Sequence, residues 1–145
     1  MTVAVFVDTN VLLYAVDRAH PAKHAAALAW RVELWKTRAG RTSYQVLQEF
    51  YANVLKKWPS AAAAAQSEVR DLFAWRPVAV DGPLLEHGWK LQNRYRLSFW
   101  DAMIVAAAQH TGSQYLLTED LQAGQNFDGV IVVDPFTNHP HSFFQ

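Results

Sequence analysis

Apolar and polar positions along this chain predict short strands that are separated by helices. Residues 3–7 form an unbroken apolar run, which is typical of a strand buried on both faces in a parallel sheet. Helical stretches follow it, and further short apolar runs lie at residues 115–117 and 130–133. Because strands that alternate with helices favour parallel pairing, we expect an α/β fold with helices on both faces of the sheet.

Helix caps and helix breakers set the predicted boundaries. Pro21 favours a helix start, Gly40 favours a helix end, and Pro59 stops the helix before it. Ser60 is predicted to cap the helix that contains the alanine run. The predicted helices are residues 9–17, 21–38, 43 or 44 to 58, 60–74, 81 or 83 to 94 and 98–110, and the predicted strands are residues 3–7, 41–43, 77–80, 115–117 and 130–133.

Length and composition narrow the class of protein. The chain has 145 residues, about half of them apolar, which fits a single domain over residues 1–145 with a real core. It has no cysteine, which excludes disulfides, thiolate zinc sites and cysteine nucleophiles and suits a reducing cytoplasm. Asp8 interrupts the first apolar run, and the apolar run at 102–108 is too short to span a bilayer. We therefore expect a cytoplasmic protein with no signal peptide and no membrane association.

The distribution of charge matters more than its total. The formal net charge is zero, which taken alone argues against a nucleic-acid partner. All 13 Lys and Arg residues lie at or before Arg96, so residues 1–96 carry a net charge of +5 and residues 97–145 carry −5. A basic region that attracts phosphates and an acidic centre that holds cations explain this pattern. Chance clustering of solvated charges explains it equally well.

Four acidic residues interrupt apolar sequence, where an unpaired carboxylate is costly. Asp8 and Asp120 follow predicted strands, and the carboxyl ends of strands are where parallel sheets place their sites. Glu49 and Asp101 lie on predicted helices, Asp101 in a first turn that favours negative charge. Converging carboxylates repel one another. A bound divalent cation would neutralise this repulsion and so explains why they lie together. Oxygen ligands without cysteine favour Mg²⁺ or Mn²⁺ over zinc.

Each of these acids also has a purely structural explanation. Asp8 could cap the helix that follows it, and Ser98 with Asp101 resembles a capping box. Glu49 could be a charge on a helix surface, and Asp120 could be a turn residue. The combination of the four acids, two of them at predicted strand ends, is harder to explain in this way.

Four segments of the chain form a pattern that covers nearly its whole length. They are VFVDTNVL at 5–12, SYQVLQEF at 43–50, FWDAMI at 99–104 and LTED at 117–120. Taken together, in this order and at this spacing, they resemble the PIN domain family. The resemblance implies a three-layer α/β/α sandwich with a central, mainly parallel sheet, and a ribonuclease that depends on Mg²⁺ or Mn²⁺.

The resemblance assigns roles to individual residues. Asp8 and Asp101 are expected to be the firmest metal ligands, and Glu119 could take the place of Asp120. Three small polar residues match positions that usually orient the acids, although caps and turns explain them nearly as well: Thr9, Asn10 and Thr118. The implied metal ligands and catalytic residues are Asp8, Glu49, Asp101 and Asp120.

The short chain further resembles the toxins of VapBC-type toxin–antitoxin pairs. That resemblance implies an RNA substrate, a cognate antitoxin and a homodimer. Two alternatives stay open: a housekeeping nuclease that processes RNA or DNA, and a PIN-like RNA-binding module that has lost catalysis. Trp100, beside Asp101, is the best candidate for stacking on a base, and packing against other residues is the favoured explanation of it.

Overall fold

A five-stranded sheet forms the centre of the protein in a computed structural model that describes residues 3–144. The strands, in chain order, are β1 (Val5–Val7), β2 (Gly40–Arg41), β3 (Tyr115–Leu117), β4 (Asn126–Phe127) and β5 (Val130–Val133). Their order across the sheet is β2-β1-β3-β5-β4. Every neighbouring pair is parallel except β4 with β5. The prediction of a central, mainly parallel sheet is therefore confirmed.

Six helices flank this sheet and complete the predicted three-layer α/β/α sandwich. The first and second helices pack on each other, as do the fifth and sixth, and the third packs on both the first and the fourth. All three residues of β1 are buried in the core that the helices enclose. The helices are α1 (Thr9–Val16), α2 (Pro21–Thr37), α3 (Tyr44–Lys57), α4 (Ala62–Leu72), α5 (Gly82–Tyr95) and α6 (Phe99–His110).

Side-chain caps begin four of the helices. Each capping oxygen accepts a hydrogen bond from a backbone N–H that has no partner within the helix. The caps are Asp8 for α1, Ser43 for α3, Asp81 for α5 and Ser98 for α6.

The strands bring distant parts of the chain to one edge of the sheet. Val7 of β1 pairs with Leu117 of β3, so the residues that follow them, Asp8 and Thr118, lie side by side. The Asp8 N–H donates to the Leu117 carbonyl at 3.1 Å. Since α6 ends at His110, shortly before β3 begins, its first turn lies toward this same carboxyl edge.

Three predicted boundaries at helix ends are wrong. Ser60 does not cap α4, because the Ala61 N–H donates to the Trp58 carbonyl at 3.0 Å and closes a turn there. Gly40 does not end α2. Arg38 takes the left-handed conformation instead, with φ of 58°, and Gly40 enters β2. The alanine helix also ends earlier than predicted, and a 3₁₀ turn, Phe73–Trp75, follows it.

Two errors concern short strands. The predicted strand at 77–80 is absent from the described sheet, because only Val78 pairs, in an isolated bridge with Ser43. The antiparallel strand β4 was not predicted, since two residues give no periodic pattern.

No helix within residues 3–144 combines the length and the apolar composition that crossing a membrane requires.

Candidate active site

Asp8 is the most deeply buried of the four predicted acids, with 7% of its surface exposed. One carboxylate oxygen accepts from the Thr9 N–H at 2.7 Å, and the other accepts from the Thr118 hydroxyl at 2.8 Å. Burial raises the pKa of Asp8 to about 6, with smaller contributions from the negative charges of Asp120 and Glu49, although the two hydrogen bonds oppose this rise. The ionised form of Asp8 is therefore destabilised by burial and by the two neighbouring acids.

Thr118 and Asn10 connect Asp8 to Asp120. Besides donating to Asp8, the buried Thr118 hydroxyl accepts from the Asn10 side-chain amide at 3.0 Å and from the Asp120 N–H at 3.1 Å. The Asn10 amide also donates to the Asp120 carboxylate at 3.1 Å. Two of the three residues that were predicted to orient the acids, Asn10 and Thr118, thus contact Asp8 and Asp120 directly.

Glu49 joins the cluster from the second turn of α3. The Thr9 hydroxyl donates to one of its carboxylate oxygens at 3.0 Å, and the Gln45 side-chain amide donates to the other at 3.1 Å. Sequence reasoning missed Gln45. Its position one helical turn before Glu49, on the same face of α3, is the signal that could have identified it.

Asp101 lies in the first turn of α6, where its N–H donates to the capping Ser98 hydroxyl at 3.1 Å. Within residues 3–144 its carboxylate makes no hydrogen bond to the other three acids. Hydrogen bonds thus connect Asp8, Glu49 and Asp120, whereas Asp101 is related to them only by the direction of α6, whose first turn lies toward the carboxyl edge. Trp100 is 64% exposed, and its ring packs edge-on against Phe99 with the two ring centroids 5.0 Å apart. It therefore lies outside the core of this chain, and its packing in a dimer interface stays a prediction.

Glu119, the possible substitute for Asp120, has a different partner. Its carboxylate forms an ion pair with Lys23 of α2 at 2.8 Å. Asp120 instead accepts from Asn10 and belongs to the network around Asp8. The geometry therefore favours Asp120 over Glu119 as the fourth acid, and Lys23 is a further residue that sequence reasoning did not single out.

The donor chemistry of the cluster fits a hard divalent cation. Across the described part of the chain, no Lys, Arg or His forms an ion pair with any of the four acids. Only neutral groups donate to their carboxylates, so their negative charge stays uncompensated. Carboxylates without thiolates suit Mg²⁺ or Mn²⁺. Within residues 3–144, no group of three or more His, Asp or Glu side chains is close enough together to hold a metal ion.

A cleft of about 480 Å³ opens beside the acids. Asn10 is the member of the network that lines the cleft, and the cleft extends from there along α3. Lys57 on its wall forms an ion pair with Asp17. The remaining wall carries residues able to meet phosphates and bases, including Tyr14, Asn53, Lys56 and Trp58.

Solved structures with a similar fold include toxins. The Sarcin-Ricin loop cleaving toxin VapC20 of Mycobacterium tuberculosis is 26% identical, with a TM-score of 0.61 over 78% of this chain and 87% of that one. A toxin–antitoxin complex from Klebsiella pneumoniae is 22% identical, with a TM-score of 0.62 over 91% and 97%. VapBC2 from Rickettsia felis, bound to a promoter DNA fragment, is 17% identical, with a TM-score of 0.58 over 89% and 96%. The last two show a shared fold.

Comparison with curated proteins found none that matches the chain. Comparison with family models matched the PIN domain over residues 5–125. The matched region includes β1, the acid-bearing turns of α3 and α6, and the loop after β3, so it contains all four acids. The chain belongs to the PIN domain family.

Proposed function

We propose that the chain is a metal-dependent endoribonuclease and the toxin of a VapBC-type toxin–antitoxin pair, acting as a single nuclease domain over residues 1–145. One observation carries the proposal. Asp8 is buried beside Glu49 and Asp120, and within residues 3–144 its carboxylate accepts hydrogen bonds from neutral groups alone. A cation that balances this charge explains why the protein gathers these acids.

The four acids are proposed to bind the ion with different importance. Asp8 and Asp101 are the proposed principal ligands of Mg²⁺ or Mn²⁺, and Glu49 and Asp120 complete the site. Such an ion supplies activation of water and neutralisation of charge on a phosphodiester. Three neighbours keep the carboxylates in position through the hydrogen bonds described above: Thr9, Asn10 and Thr118.

RNA is the proposed substrate. The cleft beside the acids carries Lys56 and Trp58, which can meet a phosphate and a base. Trp100, next to Asp101, presents a largely exposed indole on which a base can stack. The similarity to a toxin of M. tuberculosis that cleaves the Sarcin-Ricin loop supports cleavage as the activity.

A cognate antitoxin and a second copy of the chain are the proposed protein partners. Similarity to the toxin–antitoxin complex of K. pneumoniae and to VapBC2 of R. felis supports the antitoxin. The homodimer rests on the resemblance to VapBC-type toxins alone. An antitoxin that covers the cleft would keep RNA away from the acids and so silence the enzyme.

The direct test is a cleavage assay on purified, antitoxin-free protein. Single-stranded and structured RNAs, with DNAs of matched sequence, are incubated with Mg²⁺, Mn²⁺ or EDTA, and the Asp101→Asn variant is assayed in parallel. We expect cleavage of RNA that requires the metal and is lost in the variant. The products are expected to carry a 5′ phosphate and a 3′ hydroxyl.

Other outcomes point to the rival functions. Preferential cleavage of DNA would favour a DNA-processing nuclease. RNA binding by a folded, metal-binding protein without cleavage of any RNA would favour a module that has lost catalysis. Equal cleavage by the wild type and Asp101→Asn would remove Asp101 from the site.

A further inference from the structure

A second pocket of about 290 Å³ lies where α2 ends, at the edge strand β2 and the 3₁₀ turn that follows α4. It shares no lining residue with the cleft beside the acids. None of its lining residues is acidic. They are Trp35, Arg38, Arg41, Ala74, Trp75 and Arg76.

The three arginines concentrate positive charge in this pocket. Over residues 3–144, none of them forms an ion pair with a carboxylate. The Arg41 guanidinium donates to the backbone carbonyls of Arg38 at 3.0 Å and Gly40 at 2.7 Å, which fixes its position and leaves its charge in place. Burial and the neighbouring charge of Arg76 lower the pKa of Arg41, so a bound anion would relieve a real electrostatic cost.

Two tryptophans give the pocket an aromatic wall. Trp75 is 2% exposed, and its indole N–H finds no acceptor in the described part of the chain. A buried donor without a partner is costly, and it marks the Trp75 side of the pocket as polar. Trp35 is 45% exposed, and the Arg31 guanidinium stacks 5.0 Å from its ring centre and holds it in place.

We infer that this pocket binds a phosphate group of RNA while a base stacks on Trp35, as a contact outside the acidic site. Guanidinium groups match the oxygens of a phosphate in geometry and charge. An acidic peptide would also neutralise the arginines, but the half-exposed indole favours a nucleotide, since every base presents a π face. The inference rests on the proposed RNA substrate.

The position of the pocket suits an RNA strand that extends beyond the acids. Arg41 pairs in register with Phe6 of β1, and Asp8 follows Phe6 by two residues. Because α2 ends just before β2 begins, the pocket lies toward the amino end of β2, away from the carboxyl edge that carries the acids. A bound RNA chain would be held at two separate places.

Binding of a short, labelled, single-stranded RNA tests the inference in EDTA, which stops metal-dependent cleavage. The triple variant Arg38→Gln/Arg41→Gln/Arg76→Gln is compared with the wild type over a series of KCl concentrations. Arg70→Gln on α4 removes an exposed arginine outside this pocket and serves as the control. We expect the triple variant to bind about tenfold more weakly. Its salt dependence should fall by about 0.7 in log–log slope for each phosphate that the pocket no longer neutralises.

Folding and stacking are checked with further variants. Circular dichroism and thermal melting show whether the triple variant folds, and Arg38→Gln/Arg76→Gln replaces it if the loss of Arg41 disturbs β2. Trp35→Ala should weaken binding about tenfold without changing the salt slope, and Trp35→Phe should retain most of the affinity.

Three results separate this inference from the proposed function. Unchanged RNA affinity and slope in a folded triple variant, with cleavage by the wild type, overturn the pocket and leave the nuclease intact. Pocket-dependent RNA binding without any cleavage overturns the catalysis and supports the pocket. If binding of a poly-glutamate peptide requires the three arginines and binding of RNA does not, the ligand is an acidic protein partner and RNA is overturned.

Discussion

At the scale of single residues, Asp8 shows that a structural role and a chemical role can coincide. One of its oxygens caps α1 through the Thr9 N–H, and the other accepts from Thr118 at the end of the neighbouring strand. The cap fixes the carboxylate at the edge of the sheet, where Asp120 and Glu49 approach it. The explanation of Asp8 as a cap and its explanation as a ligand are therefore compatible.

The raised pKa of Asp8 predicts a specific dependence of stability on pH without metal. The folded protein holds this proton up to about pH 6, whereas an aspartate in the unfolded chain has its ordinary pKa of 3.8, so the folded state binds more protons between these values. The stabilisation is complete below about pH 4 and is lost as the pH rises through about 6. A shift from 3.8 to about 6 corresponds to roughly 3 kcal/mol.

Chemical denaturation in EDTA at pH 4.5 to 7.5 measures this effect. The Asp8→Asn variant has no proton to lose at this position, so its free energy of unfolding should fall less than that of the wild type over this range. Parallel curves for the two proteins would contradict the buried, proton-binding state of Asp8.

Thr118 provides a test of positioning. Its hydroxyl takes part in hydrogen bonds with Asp8, Asn10 and the Asp120 N–H, which a methyl group cannot form. Thr118→Val keeps the shape of the side chain and should reduce metal-dependent RNA cleavage about 10- to 100-fold, as losses of supporting residues at metal sites do. Thr118→Ser restores the hydroxyl and should recover most of the rate. Equal loss in both variants would point to packing instead.

The adjacent acids Glu119 and Asp120 are expected to differ. Glu119 pairs with the partly exposed Lys23, whereas Asp120 is held by Asn10 in the network around Asp8. Asp120→Asn should lower the cleavage rate about tenfold or more, and Glu119→Gln should leave it within about twofold. Measuring the RNA cleavage rates of both variants at saturating Mn²⁺ tests this expectation. The opposite order would assign the fourth position to Glu119.

At the scale of elements, the sequence predicted the parts of the fold that carry their own pattern. The strands Tyr115–Leu117 and Val130–Val133 lie where their apolar runs indicated, and all six helices are present within a few residues. The acids at the strand ends come together because parallel strands finish at one edge. The two shortest pairings in the sheet region were not predicted correctly. Only Val78 of the expected strand at 77–80 pairs, and β4 exists through its pairing with β5.

Contacts between segments that are distant in the chain could likewise not be predicted from the sequence. Gln45 near Glu49 is a local contact that helical spacing could reveal. The ion pair of Lys23 with Glu119 joins residues almost a hundred positions apart. The arginine pocket also needs the folded positions of α2, β2 and the turn after α4, and no local pattern encodes it.

Packing of β2 against the 3₁₀ turn predicts an asymmetry between two glycine substitutions. A Cβ at Gly40 would lie 2.6 Å from Cδ2 of the buried Trp75 indole, which has no room to move. A Cβ at Gly88 in α5 would meet the flexible Met103 side chain instead. Gly40→Ala should therefore destabilise the protein by about 1–3 kcal/mol, and Gly88→Ala by less. Urea denaturation compares them, and equal losses would contradict the rigid contact.

At the scale of the whole molecule, charge and topology divide the protein into regions of different chemistry. Asp8, Glu49 and Asp120 come together at the carboxyl edge of the sheet, although the chain as a whole carries no net charge. All its lysines and arginines precede Leu97, and three of the arginines line a pocket beside β2. An anionic polymer can thus be attracted by one region of a neutral protein while another region holds cations.

The central claim is that this acidic edge is a metal-dependent ribonuclease site, and the rate of Mn²⁺-dependent RNA cleavage by Asp8→Asn tests it most directly. The account predicts a loss of about 100-fold or more relative to the wild type, in a variant that keeps the wild-type circular dichroism spectrum. Cleavage by Asp8→Asn at the wild-type rate, with the same requirement for metal, would contradict it.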